Sequence, residues 1–301
     1  MSRPTLRQLG YLIALQDAKS FSDAAGLSNV TQSTLSAAIL DLEEALQQRL
    51  VNRGRKNITL TAFGEETCEA ARTILRDVDH LLYRAQAIKS PLCGPLRLGV
   101  IPTIAPYFLP HIMPALQESY PELELHLYED ISARLVDKIQ HNEIDLALMA
   151  FPYKTPDMTQ LQLFKEPFFL ACPKSKCTIK SSASLNDIDG DQLLLLEDGH
   201  CLRDHAAEAC KLQIPSTRKA YSATSLQTLI QMVNNGMGIT LLPEMATHAP
   251  HVPENVNILP FKNPKPMREI GLVWKNNNLR REEFLMLATM IKKRYKTPHE
   301  H

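Results

Sequence analysis

From Thr61 to Lys89 the chain runs 29 residues without a proline and with Gly64 as its only glycine. Within that stretch Ala71, Ile74, Val78, Leu81, Ala85 and Ile88 recur at spacings of 3, 4, 3, 4 and 3, the seam of a long helix that packs against another helix. A lone helix of this kind leaves its apolar stripe in water, so the seam predicts a homodimer or, as the competing reading, packing against its own domain. The same helix divides the chain. Ser90-Pro-Leu-Cys-Gly-Pro95 ends it as a hinge, and beyond that point the pattern changes from helical spacing to short apolar runs set between helices.

Before the long helix, Leu6, Leu9, Leu12, Ile13 and Leu15 predict an amphipathic helix over Thr5 to Ala18, with Thr5 as its cap. A short helix follows from Ser20 with Phe21, Ala24 and Ala25 inward, then a turn over Gly26 to Val30, then a third helix from Thr31. Two short helices across a small-residue turn predict a helix-turn-helix, whose second member places its first residues on base edges in the major groove. Gln32, Ser33, Thr34 and Ser36 are the polar groups placed to do so. Arg53, Arg55 and Lys56 fall in a turn that would form a wing beside them. The charge bias is mild: between Met1 and Ile58 seven basic residues face five acidic ones, and the whole chain is neutral. A helical bundle with no DNA role is the competing reading.

The phrase SFSDAAGLSNVTQSTLSAAILDLEEALQQRLVNR resembles the amino-terminal domain of the LysR-type transcriptional regulators. It shares their Ala-Ala pair, Thr-Gln-x-x-Leu-Ser run, Leu-Glu-x-x-Leu stretch and closing Leu-x-x-Arg, while Ser33 stands where proline is common and Val51-Asn52 replaces Phe-Glu. The resemblance implies that residues 1–60 are a winged helix-turn-helix, that residues 61–90 are a linker helix for dimerisation, and that Arg53, Arg55 and Lys56 lie on phosphates.

After the hinge, Leu96 to Ile101, Leu123 to Tyr128 and Ile144 to Met149 predict strands, alternating with helices over Tyr107 to Ser119 and Leu135 to His141. A second unit begins at Phe168, with a helix from Ser225 to Val233 and a strand from Gly238. The Ile270 strand and the helix from Leu279 to Arg294 return to the first unit. The expected class is α/β with a parallel sheet wrapped on both faces. By the LysR resemblance residues 91–301 are a two-lobed regulatory domain like the periplasmic solute-binding proteins, with lobe I at about 96–165 and 268–301 and lobe II at about 166–267. Ligands of such sheets sit beyond the strand carboxyl ends, here between the lobes.

Leu193 to Cys210 reads LLLLEDGHCLRDHAAEAC: a short buried strand, a break at Asp198-Gly199, and a helix that starts near Cys201. On a regular helix nine residues hold Cys201 and Cys210 roughly 13 Å apart, against the less than about 7 Å that a disulfide needs. The pair could bond only if the helix came undone, which is what a redox switch requires. Flanking His200, Arg203 and His205, and the first free amides of the helix, would favour a thiolate at Cys201. Two ordinary core cysteines are the alternative.

That stretch, together with Gly94 to His111 and Ala223 to Leu229, resembles the peroxide-sensing OxyR branch of the LysR family. The resemblance implies that Cys201 reacts with hydrogen peroxide and Cys210 resolves it. It places Thr103 and His200 on the peroxide and Arg268 in support of the thiolate, with Ser132 standing where the branch has threonine. It further implies promoter DNA with a pseudo-palindromic site, RNA polymerase, a thioredoxin or glutaredoxin reductant, and a homodimer that assembles to a homotetramer. A LysR regulator answering a small metabolite is the alternative function, and a thiol peroxidase explains only the cysteines, so no enzyme is expected.

The amino terminus has no charged-then-apolar leader and no run approaches the roughly 18 apolar residues of a membrane span, so a cytoplasmic protein is expected. In that setting the six cysteines are expected as thiols, with any disulfide regulatory. No pair forms CxxC, so neither a metal nor a cofactor is expected. Cys68, Cys93, Cys172 and Cys177 match nothing in the branch; Cys172 is expected in the core and Cys177 exposed between lysines. His111 and His126 are expected at the surface or satisfied rather than as ligands.

Overall fold

A computed structural model describes residues 3–53, 58–87, 92–209, 222–247 and 252–294. The chain divides into two compact units, Met1–Lys89 and Ser90–His301. In the first, helix α1 (Leu6–Ala18) opens on a capping box: Gln8 N donates to Thr5 Oγ1 and Thr5 N to Gln8 Oε1. Ser20 caps α2 (Phe21–Leu27) and Thr31 caps α3 (Gln32–Leu46). Leu12, Leu15, Leu35, Ile39 and Leu42 close the core between them. The wing is a two-stranded antiparallel sheet of β1 (Val51–Arg53) and β2 (Ile58–Leu60). Glu43 ties its entry to α3, its carboxylate accepting from Leu50 N at 2.7 Å and Val51 N at 3.1 Å.

Helix α4 (Ala62–Ala87) divides the sequence-derived seam. Cys68 and Ala71 are fully buried against the first three helices, and Arg72 pairs with Asp17 of α1 at 2.7 Å. Further along, Ile74, Leu81 and Leu82 stand 44%, 62% and 59% exposed. Ile88 lies outside the described residues.

The second unit carries β3 (Gly94–Val100), α5 (Ala105–Ser119), β4 (Leu123–Glu129), α6 (Ser132–Gln140), β5 (Leu146–Phe151) and β6 (Met158–Pro173). There follow β7 (Leu195–Leu196), α7 (Cys201–Ala209), β8 (Ser222–Ala223), α8 (Leu226–Asn234), β9 (Thr240–Pro243), α9 (Glu244–Thr247), β10 (Val256–Pro260), β11 (Met267–Lys275) and α10 (Arg281–Arg294). The main sheet has the order β10-β6-β11-β5-β3-β4, with β9 also on β6. The α/β class holds, but the sheet is mixed rather than parallel. Only β3 pairs parallel with β4 and β5; β11 runs antiparallel to β5 and β6, and β6 antiparallel to β9 and β10. The reason is the course of two strands. β6 leaves one core for the other and β11 returns, so each meets its neighbours head to tail without a crossover helix.

Two buried clusters lie on this sheet, one around Phe108, Trp274 and Phe284 and the other around Phe168, Ile230 and Leu242. Residues 158–167 of β6 pair with β11, and residues 168–173 pair with β9 and β10. The sequence break at Gly94-Pro95 is absorbed into β3. Gly94 N donates to Glu122 O, so Pro95 turns its missing N–H to the side where β5 joins only from Leu98. Arg280 fastens α10 to the sheet: its buried guanidinium holds Glu283 at 2.7 Å and donates to Pro95 O at 2.6 Å.

Candidate functional site

The site is built where β6 and β11 lie side by side. Glu166 and Arg268 are Cα partners across that ladder, and the guanidinium Nε donates to Glu166 Oε2 at 2.7 Å. Both side chains are cut off from water, so each charge depends on the other. The second carboxylate oxygen accepts from Met245 N at 2.8 Å, which ties α9 into the network. The rest of the guanidinium turns to the segment after β3: Nη1 donates to Thr103 Oγ1 at 2.9 Å and Nη2 to Thr103 O at 3.2 Å. Thr103 Oγ1 thus accepts from a cation and keeps its own proton to donate.

Cys201 opens α7 with a free thiol that is 3% exposed. Gly199 delivers it. Its φ of +95° lies where L side chains rarely go, and a Cβ there would strike Ile131 Cδ1 at 2.9 Å. Cys201 packs into the cluster of β3, β5 and α5, while its helix neighbours Leu202 and Ala206 pack into the other, so α7 bridges the two cores. Burial pushes the thiol pKa up; the Ser132 hydroxyl, then the Arg268 guanidinium, then the Ala150 backbone pull it back, and Asp204 adds a small push upward. Ser132, the first residue of α6, is buried and its Oγ makes no conventional hydrogen bond, so the pull is that of a nearby dipole with its bonding capacity unspent.

The structure corrects the expectation that local neighbours activate Cys201. Arg203 turns away, donating to Leu196 O at 3.2 Å and pairing with Asp198 at 3.1 Å. His205 Nε2 lies 3.0 Å from Pro152 O. The net effect on the thiol is a raised pKa, because burial outweighs the pull of Ser132, Arg268 and the Ala150 backbone. The cation that acts on it comes from β11, 67 residues further on.

Of the residues singled out from sequence, Thr103 and Arg268 are in contact, and Ser132 and Arg268 both act on Cys201. His200 adjoins Cys201 in the chain, almost buried, and burial holds its pKa below the usual imidazole value, with Glu197 opposing. Cys210 lies outside the described residues. Helix α7 itself is continuous from Cys201 to Ala209, carrying the chain about 12 Å along its axis. Sequence reasoning missed Glu166 and Tyr153, whose phenol pKa is pushed up by burial and by Cys201. The signal for Glu166 was a charged pair, Lys165-Glu166, set between Leu163-Phe164 and the apolar run Phe168 to Ala171.

On α3, Gln32, Ser33 and Thr34 are exposed and Ser36 is half-buried. Ser33 Oγ and Thr34 Oγ1 lie 2.9 and 2.8 Å from Thr31 Oγ1, so both hydroxyls share in the cap. The Arg53 side chain, Arg55 and Lys56 lie outside the described residues.

A capped helix-turn-helix with a wing, a long helix and a two-core mixed sheet define a bacterial transcriptional regulator, and the chain belongs to the LysR family. Residues 6–65 match the bacterial regulatory helix-turn-helix protein of the lysR family, and residues 89–296 the LysR substrate binding domain. The chain is 37% identical over 298 residues to the HTH-type transcriptional regulator EstR of Acinetobacter baylyi, spanning 98% of this chain and 99% of that one. It is 36% identical over 290 residues to the DNA-binding transcriptional dual regulator OxyR of Escherichia coli, spanning 96% and 95%. A full-length OxyR variant from Pseudomonas aeruginosa superposes with a TM-score of 0.74 at 32% identity, spanning 97% of this chain and 99% of that one. An H2O2-bound OxyR mutant of Corynebacterium glutamicum does so with 0.67 at 33%, spanning 97% and 92%. No helix among the described residues is long and apolar enough to cross a membrane.

Proposed function

We propose that the protein is a cytoplasmic, DNA-binding transcription regulator that senses hydrogen peroxide through Cys201 and is switched by a Cys201–Cys210 disulfide. The observation that carries the reading is the donor set around a buried thiol. Attack of a thiolate on one peroxide oxygen leaves charge on the other. The Thr103 hydroxyl, polarised by Arg268, and the unspent Ser132 hydroxyl are donors suited to that charge. His200, whose imidazole pKa burial holds down, adjoins Cys201 in the chain. The sulfenic acid would condense with Cys210 once α7 unwinds, and the two cores that α7 bridges would repack. On this reading Gln32, Ser33, Thr34 and Ser36 face base edges and Arg53, Arg55 and Lys56 face phosphates. Promoter DNA, RNA polymerase and a second copy of the chain are the partners, and thioredoxin or glutaredoxin restores the thiols.

Peptide mapping after peroxide tests it: a Cys201–Cys210 linked pair, about 2 Da lighter than the two thiols, that vanishes in Cys210→Ser supports the switch. An unchanged Cys201 thiol overturns it. The alternative, a LysR regulator answering a small metabolite, is favoured by the raised thiol pKa and by an identity to EstR as high as that to OxyR. A promoter footprint that shifts with organic acids and not with oxidant would establish that alternative.

A further inference from the structure

At the far end of β6 the structure holds a disulfide between Cys172 and Cys177. The sequence predicts both as thiols, Cys172 in the core and Cys177 exposed. The structure keeps the burial difference and joins them. Cys172 is 2% exposed in the second core, registered opposite Asn257 of β10. Cys177 is half-buried at the end of a turn whose Lys174, Ser175 and Lys176 are exposed, with Lys180 exposed beyond it.

The turn brings the Cα atoms to 5.8 Å, inside the range a disulfide spans. Contacts other than the sulfur bond hold that turn. Pro173 O accepts from both Lys176 N at 3.1 Å and Cys177 N at 3.0 Å, Lys174 N donates to Asn255 O at 2.9 Å, and Lys176 Nζ donates to Gly236 O at 2.9 Å. Two thiols in this turn would therefore stay within bonding reach. The case is opposite to Cys201, which must leave a helix to meet a partner.

We propose that Cys172 and Cys177 are a second thiol–disulfide site, closed by hydroperoxides and reopened by dithiols without help from Cys201. Cys177 is the sulfur an oxidant meets: it is the more exposed of the two and lies among three exposed lysines. Its attack breaks the peroxide O–O bond. One oxygen stays on sulfur as a sulfenic acid, and the other leaves as an alkoxide or hydroxide that takes up a proton. The Cys172 thiol then attacks the sulfenic sulfur, displaces its oxygen as water and forms the S–S bond, so two thiols and one hydroperoxide give one disulfide, one alcohol or water, and one further water. For reduction, a dithiol of the thioredoxin class attacks Cys177. A cleft of about 510 Å³ that is also lined by Asp187, Asp189, Gln192 and Met237 exposes this side of the turn.

The inference stands apart from the role proposed for Cys201, and its test removes that site. The full chain carrying Cys201→Ser and Cys210→Ser, and the wild-type chain beside it, are reduced, treated with hydrogen peroxide, alkylated and digested with trypsin without reductant. Cleavage after Lys174 and Lys176 separates residues 166–174 from 177–180 unless sulfur joins them. The expected result is a joined pair in both proteins that appears with oxidant, is lost on incubation of the folded protein with a thioredoxin-class dithiol, and is absent in Cys177→Ser. Full alkylation of both cysteines after peroxide overturns the proposal. So does a joined pair that the dithiol leaves intact in the folded protein, since that bond would be a fixed brace.

Discussion

Arg268 is the residue on which the buried site turns, because one guanidinium satisfies Glu166, orients Thr103 and lowers the cost of a charged sulfur at Cys201. Arg268→Ala leaves Glu166 buried without its cation, which costs about 3–5 kcal/mol, so thermal denaturation should show a large fall in midpoint. Arg268→Lys is the informative change. It keeps a charge but loses the fork that reaches Glu166 and Thr103 together, so the Cys201 thiolate loses part of its support. Iodoacetamide alkylation of Cys201 should then need higher pH than in the wild type, and an unmoved profile would count against this account of the thiol. His200 adds an acid-side effect. Its folded pKa lies below the unfolded value, so its contribution to stability is complete above about pH 6.5 and is lost as pH falls toward the folded pKa. Melting curves should fall less steeply on acidification in His200→Gln than in the wild type.

At the scale of elements, the amino-terminal helices were legible because their signals are local. Thr5, Ser20 and Thr31 each accept from the backbone N–H three residues on, in the helix they start, and such short-range chemistry is written in the order of residues. Thr31→Ala should cost roughly 1 kcal/mol and also free the Ser33 and Thr34 hydroxyls, loosening the start of α3; calorimetry of unfolding together with DNA titration would read both effects. The course of β6 was not legible. The Phe168-Phe-Leu-Ala run reads as the beginning of the second unit, whereas it is the second half of a strand that begins at Met158 and whose two halves belong to different cores. Glu166 escaped notice for the same reason, since its partner stands 102 residues away on a returning strand. Resemblance marked Thr103, Ser132 and Arg268, but periodicity alone had no means of bringing Ser132 and Arg268 to one sulfur or Thr103 to that guanidinium. The Cys172–Cys177 bond was hidden too: two amides converging on Pro173 O leave no trace in spacing. Where a strained element serves the site, sequence spoke more plainly. Gly199→Ala would hold a side chain at φ +95° against Ile131, costing about 1 kcal/mol or more, and should raise the alkylation rate of Cys201 by loosening the start of α7.

At the scale of the whole molecule, α4 carries more apolar surface than its own unit covers. The inner end of the stripe, Cys68 and Ala71, is buried at home, so the competing reading of the seam accounts for that part. It does not account for Ile74, Leu81 and Leu82, which stand exposed further along the helix. Covering a leucine fully is worth about 1.5–3 kcal/mol, and a two-fold axis would repeat each contact in both copies. A dimer formed through this stripe predicts that Leu81→Glu, which puts a charge into both copies, weakens self-association by well over tenfold, since roughly 1.4 kcal/mol is tenfold. Sedimentation equilibrium would measure it. Because a dimer reads two half-sites at once, the same change should lower affinity for a pseudo-palindromic operator far more than for a single half-site. Leu81→Glu with unaltered association would move the dimer contact off this face of α4 and leave the exposed leucines to another partner.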